Sequence, residues 1–208
     1  MRFIGAKVSR RNLNLLGMAG LWSGTEKPRE IWMDLDGGWE DIVALAMLLR
    51  SPEVKVQGVG VTPGIENGVE TRRRVELLLR ELYVKDVGLV EAFPAGADIL
   101  ATGPLTRVAR MIREGKKPSG VTWMGGAVRV KGNAKGGAEW NAAADGEALR
   151  VVLESRVGMV ICPLDLTNQF AARTEVIERE GTEVQREVKK AYGEKDRYWW
   201  DELAAGYL

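Results

Sequence analysis

Four carboxylates fall close together in a 208-residue chain: Asp34, Asp36, Glu40 and Asp41, in the stretch Asp34 to Arg50 that reads DLDGGWEDIVALAMLLR. Held in one turn they would repel one another, and a helix N-terminus offsets only part of that repulsion. A hard cation would resolve the conflict, because Mg²⁺ or Ca²⁺ takes carboxylate oxygens and brings the missing positive charge. The plainer alternative is that Glu40 and Asp41 cap a helix while Asp34 and Asp36 end a strand in solvent. Few other groups are on hand for chemistry. Histidine is absent, which removes the commonest acid-base side chain, the Ser-His and Cys-His nucleophile arrangements and most zinc sites. The single cysteine, Cys162, closes the apolar run Met159 to Cys162 and reads as a core thiol. Carboxylates must therefore carry the chemistry.

The elements that would position these acids follow from hydrophobic spacing. Ile31, Trp32 and Met33 form a short apolar strand, Gly37 and Gly38 permit a sharp turn, and Ile42, Leu45, Ala46, Leu48 and Leu49 recur at helical spacing. Further strands are predicted over Val54 to Val61, Val87 to Val90, Ala97 to Ala101, Val121 to Met124 and Gly158 to Cys162. Helices are predicted over Glu66 to Leu82, Leu105 to Arg113 and near Asp145 to Ser155. Arg72, Arg73 and Arg74 read as a solvated face of the first of these, with a phosphate site as the alternative. A polar, glycine-rich loop spans Arg129 to Asn141, and a charged, helical tail from Ala171 to Leu208 is interrupted by the aromatic cluster Tyr198 to Trp200. Strands alternating with helices, with polar loops at strand ends, predict an α/β fold: a mostly parallel sheet flanked by helices, with ligands at the C-terminal ends of the strands.

The totals narrow the partners. With 30 basic and 29 acidic residues, no global field draws the chain to nucleic acid or to an anionic membrane, and a neutral small molecule is the easier partner. No run approaches the roughly 18 to 20 apolar residues of a membrane span, so no stable membrane insertion is expected. Residues 1–30 differ from the rest: Ser9, Arg10 and Arg11 precede a short apolar stretch, Leu13 to Trp22, in the manner of a twin-arginine signal, with an amphipathic or disordered leader as the alternative. Export to the periplasm is expected if this leader acts as a signal, and a cytoplasmic location if it does not. Residues 31–208 are expected to form a single domain.

Six segments then fall in one order: DLDGGWED at 34–41, ATGPLT at 101–106, WMGGAVRVKGN at 123–133, AEWN at 138–141, PLDLT at 163–167 and WDELAA at 200–205. Together they resemble the inosine-uridine-preferring nucleoside hydrolases. The resemblance implies an open α/β sheet of Rossmann-like topology holding one Ca²⁺ at the C-terminal ends of the strands, and hydrolysis of the N-glycosidic bond of ribonucleosides, with a nucleoside as partner and room for a homo-oligomer. It implies Asp36, Asp41 and Asp201 as side-chain ligands of Ca²⁺, with Thr102 contributing its main-chain carbonyl. Asp36 would also serve as base toward the attacking water. Asn133, Glu139 and Asn141 match the residues that hold the ribose, Met124 lies against the sugar, and Glu40 stands at a further ribose contact.

The chain also departs from that pattern. Glu40 replaces an aspartate and is one methylene longer. Ile65 follows Gly64 where asparagine is common, and Asn67 could substitute only with a change of register. Trp200 stands where well-known members carry a histidine that protonates the leaving base, which leaves Trp200 to stack on the base or to pack in the core. Two other readings compete. One is a shortened homologue that binds Ca²⁺ or a ribosyl ligand without turnover. The other is a haloacid-dehalogenase-like phosphatase, with Asp34 as nucleophile and Mg²⁺ as cofactor.

Overall fold

The computed structural model of the chain describes residues 2–3, 27–172, 181–193 and 197–208. Ser9 to Arg11 and the apolar stretch Leu13 to Trp22, which carry the expected export signal, lie outside the described residues. Among the described residues, seven strands form one sheet: β1 (Arg2–Phe3), β2 (Arg29–Leu35), β3 (Val54–Val61), β4 (Leu89–Val90), β5 (Asp98–Ala101), β6 (Gly120–Met124) and β7 (Met159–Cys162), in the order β1-β7-β6-β5-β2-β3-β4. Every pairing is parallel. Arg29 and Glu30, placed in the leader on sequence grounds, belong to β2.

The helices are α1 (Trp39–Arg50), α2 (Gly68–Glu81), α3 (Thr106–Arg113), α4 (Trp140–Ala144), α5 (Gly146–Glu154), α6 (Leu164–Thr167), α7 (Glu183–Gly193) and α8 (Asp201–Ala205). Alternation along the strands divides the core. Leu100, Met124 and Cys162 face one side with Ile42 and Leu45 of α1, Val75 and Leu78 of α2, Val188 of α7 and Ala204 of α8. Ile99, Ala101, Trp123 and Ile161 face the other with Val108 of α3 and Val152 of α5. A period of two on strands covered by helices on both faces is what buries a parallel sheet.

Two local outcomes differ from the sequence reading. α2 begins at Gly68, because the Asn67 side chain accepts from the amides of Val69 and Glu70 at 3.1 and 3.0 Å and caps the helix. The expected loop over Arg129 to Asn141 runs into α4, whose five residues carry too little apolar periodicity to announce a helix. In the tail the described residues hold α7 and α8, and the aromatic interruption falls between them, where Tyr198 forms an antiparallel bridge with Ala171.

Setting β1 aside and counting β2 as first, the strand order reads 3-2-1-4-5-6, that of a doubly wound sheet. The order reverses between β2 and β5, where crossovers leave toward opposite faces and a crevice opens at the carboxyl ends. In that pair Asp34 lies opposite Ala101, so Asp36 and Thr102, just beyond, sit at the mouth of the crevice.

Candidate functional site

Asp36 leaves the end of β2 and is buried, its Oδ2 accepting from the Ile65 amide at 3.1 Å. The loop after β3 runs so close that a Cβ at Gly64 would collide with that oxygen. Here is the physical reason for the Gly64–Ile65 pair: glycine lets the backbone reach the carboxylate, and the next amide binds it. Asp41, in the first turn of α1, is fully buried. The Thr102 hydroxyl donates to its Oδ1, while its Oδ2 has no hydrogen-bond partner. Asp201 opens α8, which packs on α1 and carries a third buried carboxylate near enough to Asp41 for its charge to act on it.

The electrostatics of the three are those of acids lacking a counter-charge. Burial pushes Asp36 up to about 6, with the charge of Glu40 adding to it. Burial also holds Asp41 and Asp201 well above the usual carboxylate range; Asp36 is the leading charge acting on Asp41, and Asp41 the leading charge acting on Asp201. Among the described residues none of the three forms an ion pair, although Asp34 beside them does. Nor do three or more carboxylate, thiol or imidazole side chains stand together as a finished metal cage among those residues. What fits a hard cation is the all-oxygen donor set, its uncompensated charge and the orphaned Asp41 Oδ2.

Asp34 takes a different part. Both its oxygens accept from the Thr62 hydroxyl at 3.0 Å, and Oδ1 also accepts from Arg107 Nε at 3.1 Å. Arg107 is itself buried and binds the carbonyls of Val61 and Glu91. A carboxylate enclosed in this way cannot attack a substrate, which removes the phosphatase reading with Asp34 as nucleophile. Asp34 instead ties β2 to β3 and α3 beneath the acidic turn. Nothing in the sequence marked Arg107; an arginine inside an amphipathic helix ordinarily points to solvent. The solvated face assigned to Arg72–Arg74 is corrected in the same sense. Arg72 and Arg73 are half exposed, but only 11% of the Arg74 side chain is, and its Nη1 donates to the Gly37 carbonyl at 2.6 Å.

The residues expected at the ribose separate by environment. Asn141 is buried and donates from Nδ2 to the carbonyls of Thr102 at 2.8 Å and Met124 at 3.0 Å, which joins β5, β6 and α4 at the crevice. Met124 is buried against it. Glu139 is buried, and its oxygens accept from the amides of Asn141, Ala142 and Gly126, so its first task is to cap α4 and hold the loop after β6. Asn133 is exposed and accepts from the Trp140 amide at 2.8 Å, joining the group only through α4. Glu40 is largely covered and pairs with Arg197 Nη1 at 3.3 Å, across most of the chain. Trp200 is partly buried, its ring 6.0 Å from that of Tyr198 and its Nε1 buried without a partner. The structure thus brings Asp36, Asp41, Thr102, Asn141, Met124 and Asp201 to one crevice.

Comparison with known proteins agrees with this architecture. The family model for inosine-uridine preferring nucleoside hydrolase matches residues 72–208. Among curated proteins, the chain is similar to the pyrimidine-specific ribonucleoside hydrolase RihB of Escherichia coli strain SE11, 26% identical over 202 residues, covering 73% of this chain and 64% of that protein. The chain therefore spans about 64% of the length of the curated relatives it matches. Among solved structures, the inosine-uridine preferring nucleoside hydrolase of Bacillus anthracis superposes with a TM-score of 0.66 at 25% identity, covering 86% of this chain and 81% of that one. The plant nucleoside hydrolase PpNRh1 shares the fold at a TM-score of 0.75 and 19% identity, over 86% of this chain and 78% of its own.

Proposed function

The chain belongs to the inosine-uridine preferring nucleoside hydrolase family, and from that premise we propose that it hydrolyses the N-glycosidic bond of ribonucleosides with the help of one Ca²⁺. The observation that carries this reading is the gathering of Asp36, Asp41 and Thr102 at the strand-order switch with Asp201 brought to them by α8. Asp36, Asp41, Asp201 and the Thr102 carbonyl would hold the ion. When bound, Ca²⁺ would supply the positive charge these acids lack and an anchor for sugar and water oxygens.

The chain's own groups do the remainder. Asp36, lying at the crevice and in no ion pair with a side chain among the described residues, accepts the proton of the attacking water as its oxygen bonds to the anomeric carbon. The bond from that carbon to the base nitrogen breaks and its electron pair leaves with the base. Glu40 accepts from a ribose hydroxyl, and the buried acids favour the positive charge that develops on the sugar. Asn141 steadies the Thr102 carbonyl that would hold the ion and the Met124 carbonyl at the end of β6. Incubation with inosine, uridine and cytidine, with Ca²⁺ or with chelator, should release free base and ribose only with the ion. No release from any of them would overturn the reading.

One feature favours a second reading, a homologue that binds but turns over slowly. The chain has no histidine, and Trp200, at the position that would face the leaving base, carries no titratable proton. On this reading Ca²⁺ binds with ordinary affinity while base release stays near background.

Either way the ion should govern stability. Asp34 and Asp36 titrate at about 6 in the folded state and Glu202 at about 8, all raised chiefly by burial. Acids whose folded values lie above their unfolded ones hold protons in the native state, so their contribution is full at low pH and is lost as pH rises through the folded values. The chelated protein should thus lose thermal stability between about pH 5 and pH 8. At pH 8, Ca²⁺ at 100 times its Kd should restore about 2.7 kcal/mol, or roughly 5–10 °C in Tm for a chain of this length. Differential scanning calorimetry at the two pH values, with and without ion, measures both.

A further inference from the structure

The arginine triplet has no part in the reaction just described, yet one member reaches the acidic turn. Arg74 is on α2, and its guanidinium makes four contacts. Nη1 donates to the Gly37 carbonyl at 2.6 Å, Nη2 to Glu66 at 2.9 Å, Nε to Glu70 at 3.1 Å, and the group lies 4.4 Å over the Trp39 ring. Gly37 and Trp39 both belong to the short connection between Asp36 and Asp41. One side chain therefore grips that connection at two points, while Glu66 and Glu70 neutralise and aim it.

The same helix and the loop before it hold the turn elsewhere. The Asp36 carbonyl accepts from the Glu66 amide at 3.1 Å and from the Thr71 hydroxyl at 3.4 Å. Gly37 has φ +94°, and a Cβ there would strike the Thr71 hydroxyl. The turn is thus a left-handed excursion pressed onto α2, and its shape depends on contacts with α2 as well as on its own backbone. Arg72 and Arg73 serve elsewhere: Arg72 pairs with Glu91, and Arg73 with Glu70 and Glu183.

We propose that Arg74 is a positioning residue for the cation site: by fixing Gly37 and Trp39 it sets the spacing of the Asp36 and Asp41 carboxylates that receive the ion. This rests on the assignment of those two residues as ligands in the proposed function. The sign of the effect separates positioning from simple charge. Arg74 is a cation beside a cation site, so deleting its charge would by Coulomb's law alone tighten Ca²⁺ binding. Loss of an outer contact that orients ligands does the opposite, and typically weakens metal affinity about 10- to 100-fold.

Isothermal titration of Ca²⁺ into the full chain decides between them. Arg74→Met keeps an unbranched side chain on α2 but removes the guanidinium that contacts Gly37 and Trp39, and its Kd should rise at least about 10-fold with little change in the Tm of the chelated protein. Arg74→Lys, which can hold one partner at a time, should fall between it and the parent, and it takes the place of the Met variant if that one does not fold. Arg73→Met, which shares Glu70 but does not touch the turn, should bind as the parent does. Unchanged or tighter binding by the Arg74 variants overturns the proposal. So does an equal loss in Arg73→Met, or a loss matched by collapse of the chelated protein's Tm. Absence of Ca²⁺ binding by the parent chain overturns the metal reading itself, a distinct result.

Discussion

Asp36→Asn will lower kcat for ribonucleoside cleavage by about 10²- to 10⁴-fold, the range general-base catalysis contributes. The substitution is nearly isosteric, and the amide can keep the acceptor that Ile65 uses. It also removes one negative charge beside Asp41, whose ionisation Asp36 opposes. Two effects of opposite sign therefore travel together: Ca²⁺ affinity falls because a ligand charge is lost, while the Tm of the chelated protein holds or rises because repulsion in the empty cluster is relieved. Turnover within tenfold of the parent would show that another group takes the proton. On the slow-turnover reading kcat is near background already, but the opposite movements of affinity and Tm remain measurable.

Arg107→Met will destabilise the fold by about 3–5 kcal/mol, as expected when one partner of a buried ion pair is removed, which is a fall of roughly 10 °C in Tm. Asp34 is 1% exposed and Arg107 8%, so the abandoned carboxylate has no route to solvent. Burial already holds Asp34 at about 6, and Arg107 is the first influence keeping it from going higher. Without Arg107 the carboxyl will take up a proton, so the loss should be larger at pH 8 than at pH 5. Equal losses at both values would mean that packing, and not charge, is what Arg107 supplies. Adding Asp34→Asn to the variant should recover much of the stability, because a neutral amide leaves no buried charge unpaired.

The two predictions draw on features that differ in how openly the sequence carries them. Asp36 was legible because its neighbours in space are largely its neighbours in sequence: Asp34, Glu40 and Asp41 crowd one turn, and their charge conflict needs no tertiary knowledge. The strands and α1 were legible from apolar spacing, and the ordered segments from ATGPLT to WDELAA pointed to the family and so to Thr102 and Asp201. Arg107 and Arg74 were not legible. Their partners Asp34 and Gly37 lie 73 and 37 residues away, and an arginine within a helix carries no local mark of whether it will be buried. Glu139 and Asn133 stood at the expected spacing, yet spacing could not tell a side chain that meets a sugar from one that caps α4.

By itself, then, the sequence determined the kinds of group available and the elements that bear them: carboxylates without histidine, a glycine turn between a strand and a helix, and a parallel α/β pattern. Periodicity and charge are local properties, and they can be read without a fold. Only the tertiary structure decided that β2 and β5 are neighbours, which places Asp36 and Thr102 at one crevice, and that α8 returns Asp201 to it. It alone decided that Arg107 anchors Asp34 and that Arg74 grips the turn. Those outcomes depend on strand order and on helix docking, where the energy lies in contacts between residues far apart in the chain.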